Sequence, residues 1–328
     1  MKPGTPAITI INACYNTGRY VIETLNAINK QTFRDFEVII TDDASTDDSI
    51  ALIDTWIEQH PELSVQFIKN KKNQGIVPVV NHALGLAKGT YFTLIGDDAW
   101  YPRYLERLYN ILEAAPADVA MVYSDSSIVQ YATKEVIGTL NPFEQVKNTD
   151  FEHKDELLIL QSDAVYEFRN DLLKEYLLFQ NPVIAFTCLM KTAYIKDAGG
   201  YDTTYSFEDY PMWMKLVRRY KIWYVDEVLA DYIRHSDSFT IKRKHVLSKE
   251  SLLLCLDNRD FAVTPVTLDK FSRRLFDLWY GLYAEWITDK GTYNEEKKTI
   301  TRQLLLKSGG FRKQFARLIL RKLLRIFR

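Results

Sequence analysis

Two adjacent carboxylates close an apolar run in the segment Thr90-Tyr-Phe-Thr-Leu-Ile-Gly-Asp97-Asp98-Ala-Trp-Tyr-Pro102. Hard oxygen donors side by side suit a divalent cation that bridges to substrate phosphates. An aspartate just ahead of a helix is equally a favoured N-cap, and Asp98 precedes a helical pattern over about residues 101–115. A second acidic group, Asp42-Asp-Ala-Ser-Thr-Asp-Asp48, offers several side chains that cap a helix over residues 47–59.

These groups need elements to hold them. Residues 91–95 are aromatic and β-branched and lie between Gly89 and Gly96, which predicts a buried strand with the Asp pair at its carboxyl end. Ligands of open α/β sheets bind at that end. Strands are further predicted at 7–12, 37–41, 65–69 and 120–124, and helices at 20–29, 77–87 and 101–115. Such alternation implies βαβ units and a mostly parallel sheet, an α/β fold. From about 129 to 178 the pattern blurs into mixed helical and loop composition. Residues 181–190 turn apolar, the Ala198-Gly-Gly-Tyr-Asp202 turn follows, and a helix is predicted over 212–220. Beyond His235 the chain reads as helical, with Phe271, Leu275, Leu278, Trp279, Leu282 and Trp286 spaced for one buried face.

Several classes are disfavoured. No G-x-G-x-x-G follows the first strand, no phosphate-binding G-x-x-x-x-G-K-[ST] occurs, and the five histidines contain no H-E-x-x-H. Cys14, Cys188 and Cys255 are odd in number and widely spaced, which fits a reducing compartment rather than a disulfide framework. The first residues read into a strand instead of a signal peptide, and no run approaches the ~18 apolar residues of a spanning helix. A cytoplasmic setting is expected.

In order and spacing, Ala13-Cys-Tyr15-Asn16, Gln31-Thr-Phe33, Asp42-Asp43-Ala-Ser-Thr-Asp-Asp-Ser49, Asn73-x-Gly75, Ala87-Lys-Gly89-x-Tyr91 and Gly96-Asp97-Asp98 resemble the nucleotide-binding half of a family 2 glycosyltransferase. Gly199-Gly-Tyr-Asp202, Glu208-Asp209 and Tyr232-x-x-His235-x-x-Ser238 resemble that family's acceptor half. The resemblance covers about residues 5–240. It implies a GT-A fold and an inverting, metal-dependent transferase using Mg²⁺ or Mn²⁺. The donor would be a UDP or dTDP sugar, and the acceptor a hydroxyl of a saccharide or lipid-linked saccharide in cell-surface polysaccharide synthesis.

Carried over residue by residue, Ala13, Tyr15, Asn16, Asp43, Gly75, Asn81 and Asp97 fall at the nucleotide sugar. Asp43 would face the base, and Asp97 the ribose or a metal-bound water. Asp98 would ligate the cation, with His235 as a further metal or diphosphate contact. Asp209 becomes the general base and Glu208 its acceptor-side neighbour. The pattern departs from the family at Ala99, which follows the Asp pair where many relatives carry a fuller D-x-D. It departs also at Val80, where some relatives have Arg or Lys, and at Ile233, where an Arg is frequent. A nucleotidyltransferase of sugar phosphates and a non-catalytic sugar-nucleotide-binding partner remain the alternatives.

The expected organisation is a transferase domain at 1–240 (nucleotide half 1–125, acceptor half 126–240), a helical extension at 241–310 and an amphipathic tail at 311–328. The last 32 residues hold eleven cationic side chains and no acidic one, within a chain of net charge −1. Lys313, Arg317, Arg321 and Arg325 make a basic stripe, with Phe311, Phe315, Leu318, Ile319, Leu323 and Ile326 on the opposite side. That pattern suits an anionic membrane surface or docking on the acidic body. No nucleic-acid-reading motif accompanies it. The protein is therefore expected at the cytoplasmic face of the plasma membrane.

Overall fold

A computed structural model describes residues 4–149, 151–238, 242–288 and 294–326. In chain order, the first half builds β1 (Ile8–Cys14), α1 (Val21–Asn29), β2 (Phe36–Asp42), α2 (Ser49–Gln59), β3 (Val65–Lys69), α3 (Ile76–Leu86), β4 (Tyr91–Ile95), the two-residue β5 (Ala99–Trp100), α4 (Tyr104–Ala114) and β6 (Val119–Gln130). There follow β7 (Val136–Leu140), α5 (Pro142–Lys147), β8 (Leu158–Ser162), β9 (Val165–Phe168), α6 (Asn170–Leu177), β10 (Cys188–Lys191), α7 (Thr192–Asp197), α8 (Asp209–Leu216) and β11 (Lys221–Arg234). Four further helices are α9 (Lys244–Asp257), α10 (Pro265–Thr288), α11 (Asn294–Lys307) and α12 (Gly309–Ile326).

One sheet in the order β3-β2-β1-β4-β10-β6-β11-β9-β8 organises the first unit. Pairing is parallel across β3, β2, β1 and β4, as the alternation requires. Beyond β4 the sheet is mixed, because β10 enters antiparallel to both β4 and β6 while β11 runs parallel to β6. β1, β2 and β4 are buried almost throughout on both faces, and helices such as α1, which buries Val21, Leu25 and Ile28, cover them.

Strand order reverses between β1 and β4, a topological switch point that opens a crevice at the carboxyl ends of these strands. Asn12 fixes that edge from inside the core. Its side-chain amide donates to the carbonyls of Ile95 and Gly96, 3.0 and 2.9 Å away, so the loop bearing Asp97 departs from a rigid base. β11 follows β6 with three interruptions of register, between Lys221 and Ile222, between Val225 and Val228 and between Val228 and Ala230, before reaching the same edge.

The blurred stretch from 129 to 178 resolves into an extension of β6, the hairpin partner β7, the short strands β8 and β9, and helices α5 and α6. The helix expected at 212–220 begins at Asp209 and ends at Leu216.

The chain divides into two compact units, Met1–Leu173 with Pro182–Ser238, and Lys174–Asn181 with Phe239–Arg328. In the second, Phe271, Leu275, Trp279 and Leu282 of α10 are buried as their spacing predicts. Trp279 meets Phe311 edge-on at 5.6 Å and Phe315 at 5.4 Å. The first turns of the tail helix therefore serve this unit's own core, and burying Phe311 contributes roughly 2–3 kcal/mol. Arg312, Lys313 and Arg317 stay exposed. The side chains of Trp286, Leu318, Ile319, Arg321, Leu323, Arg325 and Ile326 lie outside the described residues.

Candidate active site

The loops after β1 and β2 are fastened to each other at the crevice. Asn16 adopts a left-handed backbone, φ 54°, which its short polar side chain tolerates. Its carboxamide oxygen accepts from the Thr46 amide at 2.8 Å, and its own amide donates to the Ser45 hydroxyl at 2.8 Å. Ala13, the penultimate residue of β1, lies opposite Thr41, and the Tyr15 ring is 49% exposed at the same edge.

Asp42 and Asp43 divide into two tasks. The buried Asp42 carboxylate accepts the amide and hydroxyl of Ser45 and holds its own loop. The Asp43 carboxylate accepts the amides of Gln74 and Gly75 at 2.8–3.0 Å and the side-chain amide of Asn70 at 3.0 Å. Gly75 is the N-cap of α3 with φ 86°, a backbone that glycine adopts without strain. Asp43 thus anchors the start of α3 beneath the crevice, where a negative charge also suits the helix dipole. Both of its oxygens accept N–H donors of the protein.

Asp97 and Asp98 point to different partners. Asp97 Oδ2 lies 2.6 Å from His235 Nε2, so the end of β11 meets the loop after β4 at a carboxylate–imidazole pair. Asp98 is buried, its Oδ1 accepts the Ile233 amide at 2.9 Å, and its backbone carbonyl accepts the Thr24 hydroxyl at 2.8 Å. Burial first, and the charge of Asp97 second, hold the Asp98 carboxyl well above the usual carboxylate range. Asp97, and not Asp98, is therefore the partly exposed carboxylate beside the imidazole, because β5 carries Asp98 under β11. Among the described residues no three or more His, Cys, Asp or Glu side chains converge as a closed metal cage. A cation shared with a diphosphate needs only one or two protein donors, and a carboxylate beside an imidazole fits Mn²⁺ or Mg²⁺ in that open form.

Asn81 reaches from α3 to the turn that precedes α8. Both polar atoms of its carboxamide bond the backbone of Tyr201, donating to its carbonyl at 2.8 Å and accepting its amide at 2.9 Å. It clamps the Gly199-Gly200-Tyr201 turn onto α3. Gly200 fits there because its φ is +71° and a Cβ would fall 2.8 Å from the Asn81 oxygen.

From this turn the chain runs to Glu208, the N-cap of α8, and Asp209, its first residue. Burial, reinforced by the charge of Asp209, pushes the Glu208 carboxyl up to about 7. The charge of Asp209 also reaches the buried Cys188 thiol and the Tyr201 hydroxyl, where it adds to the upward push of burial. A carboxyl held near neutrality beside a second carboxylate is a group that can exchange a proton near pH 7. The role of Tyr20, whose ring stacks on His235 at 4.0 Å, carries no sequence signal beyond its place beside a helix start.

Residues 9–169 match the family described as Glycosyl transferase family 2. An uncharacterized glycosyltransferase of Haemophilus influenzae is 25% identical over 80% of this chain and 76% of its own length. Glycosyltransferase GlyG of Streptococcus pneumoniae is 34% identical over 35% of this chain, which is 38% of that relative. In fold, the chain is similar to S. aureus TarS 1-349 in complex with UDP-GlcNAc, with TM-score 0.60 and 18% identity over 90% of this chain and 79% of that 1-349 chain. It is likewise similar to the mannosyltransferase PcManGT from Pyrobaculum calidifontis in complex with GDP-Man and Mn²⁺, with TM-score 0.58 and 18% identity over 99% of this chain and 84% of that one.

Proposed function

We propose that this chain, whose residues 9–169 match the family 2 glycosyltransferases and whose fold is similar to GT-A enzymes, moves a sugar from a UDP or dTDP sugar to a hydroxyl of a saccharide or lipid-linked saccharide, inverting the anomeric carbon. The observation that carries this reading is the Asp97–His235 pair at the switch-point crevice, with the adjacent Glu208 and Asp209 carboxylates on the acceptor half.

Donor binding uses the fastened loops. Ala13, Tyr15 and Asn16 line one wall, and Asp43 shapes the other through the amides of Gln74 and Gly75. Asp97 and His235 would hold Mg²⁺ or Mn²⁺, which when bound supplies Lewis-acid stabilisation to the departing diphosphate. Asp98, pinned by Ile233, keeps the Asp97 loop in register with β11. Asp209 accepts the proton of the incoming hydroxyl as the acceptor oxygen bonds to the anomeric carbon. The bond from that carbon to the diphosphate oxygen breaks, with its electron pair leaving on the diphosphate. Glu208 beside it keeps the local charge low enough for an acceptor hydroxyl to approach.

No helix among the described residues is long and apolar enough to cross a membrane. We place the protein at the cytoplasmic membrane face in cell-surface polysaccharide synthesis, held by cations of α12. Phe311 and Phe315 are engaged with α10, so attraction to anionic headgroups, more than insertion of rings, supports this placement.

The test is Asp209→Asn. After nucleotide sugars are screened for metal-dependent thermal stabilisation, the variant is expected to lose transfer and to bind UDP like the parent. Full transfer by Asp209→Asn, or release of pyrophosphate in place of a nucleoside diphosphate, would overturn the reading.

A further inference from the structure

His235 is held in an unusual way. Its ring is buried, Nε2 meets Asp97 at 2.6 Å, and Nδ1 is buried with no hydrogen-bond partner among the described residues. Imidazoles at cation sites are ordinarily oriented by a hydrogen bond from the second ring nitrogen to a carbonyl or carboxylate. Here that bond is missing, so something else must stop the ring from turning.

Tyr20 occupies the place where that restraint is needed. Its ring lies against the imidazole, centroids 4.0 Å apart and planes 25° from parallel. Tyr20 is itself boxed in. It is 5% exposed, its amide donates to the Thr17 carbonyl at 2.8 Å, and its hydroxyl donates to Asp237 Oδ2 at 3.2 Å. Tyr131 meets it edge-on at 4.6 Å and is tied in turn to the Arg19 carbonyl by a 2.9 Å hydrogen bond. The loop after β1, the turn after β6 and the end of β11 therefore converge on one aromatic ring.

We propose that Tyr20 is the positioning residue for His235, its ring face replacing the absent hydrogen bond at Nδ1 so that Nε2 stays aimed at Asp97. The importance of that aim for catalysis rests on the cation-side role of His235 proposed above; the positioning itself does not. Tyr20 touches neither donor nor acceptor in this scheme. The bond from its hydroxyl to Asp237 sets the angle of the ring but is secondary to the face.

Two readouts on the full-length protein test this. The first needs no cation. In nitrogen–proton spectra of the parent, the 2.6 Å contact with Asp97 is expected to shift a His235 Nε2–H resonance downfield. Tyr20→Leu is expected to abolish that shift, and Tyr20→Phe to keep it. The second is titration of Mn²⁺ in the presence of UDP, where Tyr20→Leu is expected to weaken Mn²⁺ about tenfold and Tyr20→Phe to remain within about twofold of the parent. Tyr20→Met substitutes if the leucine variant fails to fold. An unchanged His235 resonance in Tyr20→Leu, or an equal loss in Tyr20→Phe, would overturn the proposal. If His235→Ala binds Mn²⁺ like the parent while Tyr20→Leu still loses the resonance, the positioning holds and the cation assignment fails.

Discussion

Replacing Asp43 with asparagine separates a pocket-building carboxylate from a base-reading one. Its two oxygens take the Gln74 and Gly75 amides and the Asn70 side chain, all within 3.0 Å. Asparagine preserves one acceptor and turns the other position into a donor facing an amide N–H. A hydrogen bond to a charged group contributes about 1.5–3 kcal/mol, so losing one of these should cost roughly 2 kcal/mol. For a unit of this size that is a fall in Tm of about 4–8 °C. Differential scanning fluorimetry reads the fall, and calorimetric titration of UDP at 10 °C, well below unfolding, reads the pocket. With the carboxylate occupied by the protein, UDP affinity should drop less than about tenfold, since only a loop shift of the Gln74–Gly75 amides reaches the ligand. An unchanged Tm together with a loss of UDP affinity on the order of 100-fold would refute the reasoning and return Asp43 to direct contact with the base.

Three other outcomes are expected. Glu208 sits near 7 when folded against 4.5 as a free side chain. Its contribution to stability is therefore complete below pH 4.5 and lost as the pH rises through about 7. Urea unfolding should show Glu208→Gln gaining on the parent by on the order of 2 kcal/mol between pH 5 and pH 8; parallel pH profiles would contradict this. Gly200→Ala should cost about 2–3 kcal/mol through its positive φ and the approach to Asn81. In an Asn81→Ala background it should cost about 1 kcal/mol less, and strict additivity in urea titrations would dissolve the clamp. Reversing Arg312, Lys313 and Arg317 to glutamate should lower sedimentation with phosphatidylserine vesicles more than about 100-fold, at about 1 kcal/mol per cation removed, and equal pelleting would remove the membrane assignment.

The parallel half was legible because β1, β2 and β4 are buried on both faces and its helices carry one apolar stripe. The strands at 65–69 and 91–95 fall where the residue types place them. The antiparallel half gave little signal. β8 and β7 are mostly exposed, with Ile159, Leu160, Val136 and Ile137 open to solvent, so no alternation of apolar and polar residues marks them. β11, fourteen residues long, contains three register shifts and mixes charged with apolar positions, which disguises a strand. Among the proposed site residues, the motif order singled out Asp97, His235 and the Glu208–Asp209 pair, and the first two meet at 2.6 Å. Which aspartate faces the imidazole depends on β5 pairing with β11, a long-range contact that no local pattern encodes. The engagement of Asn81 with Tyr201 was hidden for the same reason.

The interrupted stretch of β11 insulates the site from its own length. From Val225 to Ala230 the strand advances five residues while β6 advances two, from Ser124 to Ser126. The three extra residues are taken up as a bulge, in which Asp226 and Val228 are exposed. Beyond it, Ala230 to Arg234 pair one for one with Ser126 to Gln130, so the approach of His235 to Asp97 is set by the register resumed after the bulge. Length variation is therefore best absorbed within 226–228, whereas a one-residue change between Ala230 and His235 would turn the imidazole from Asp97.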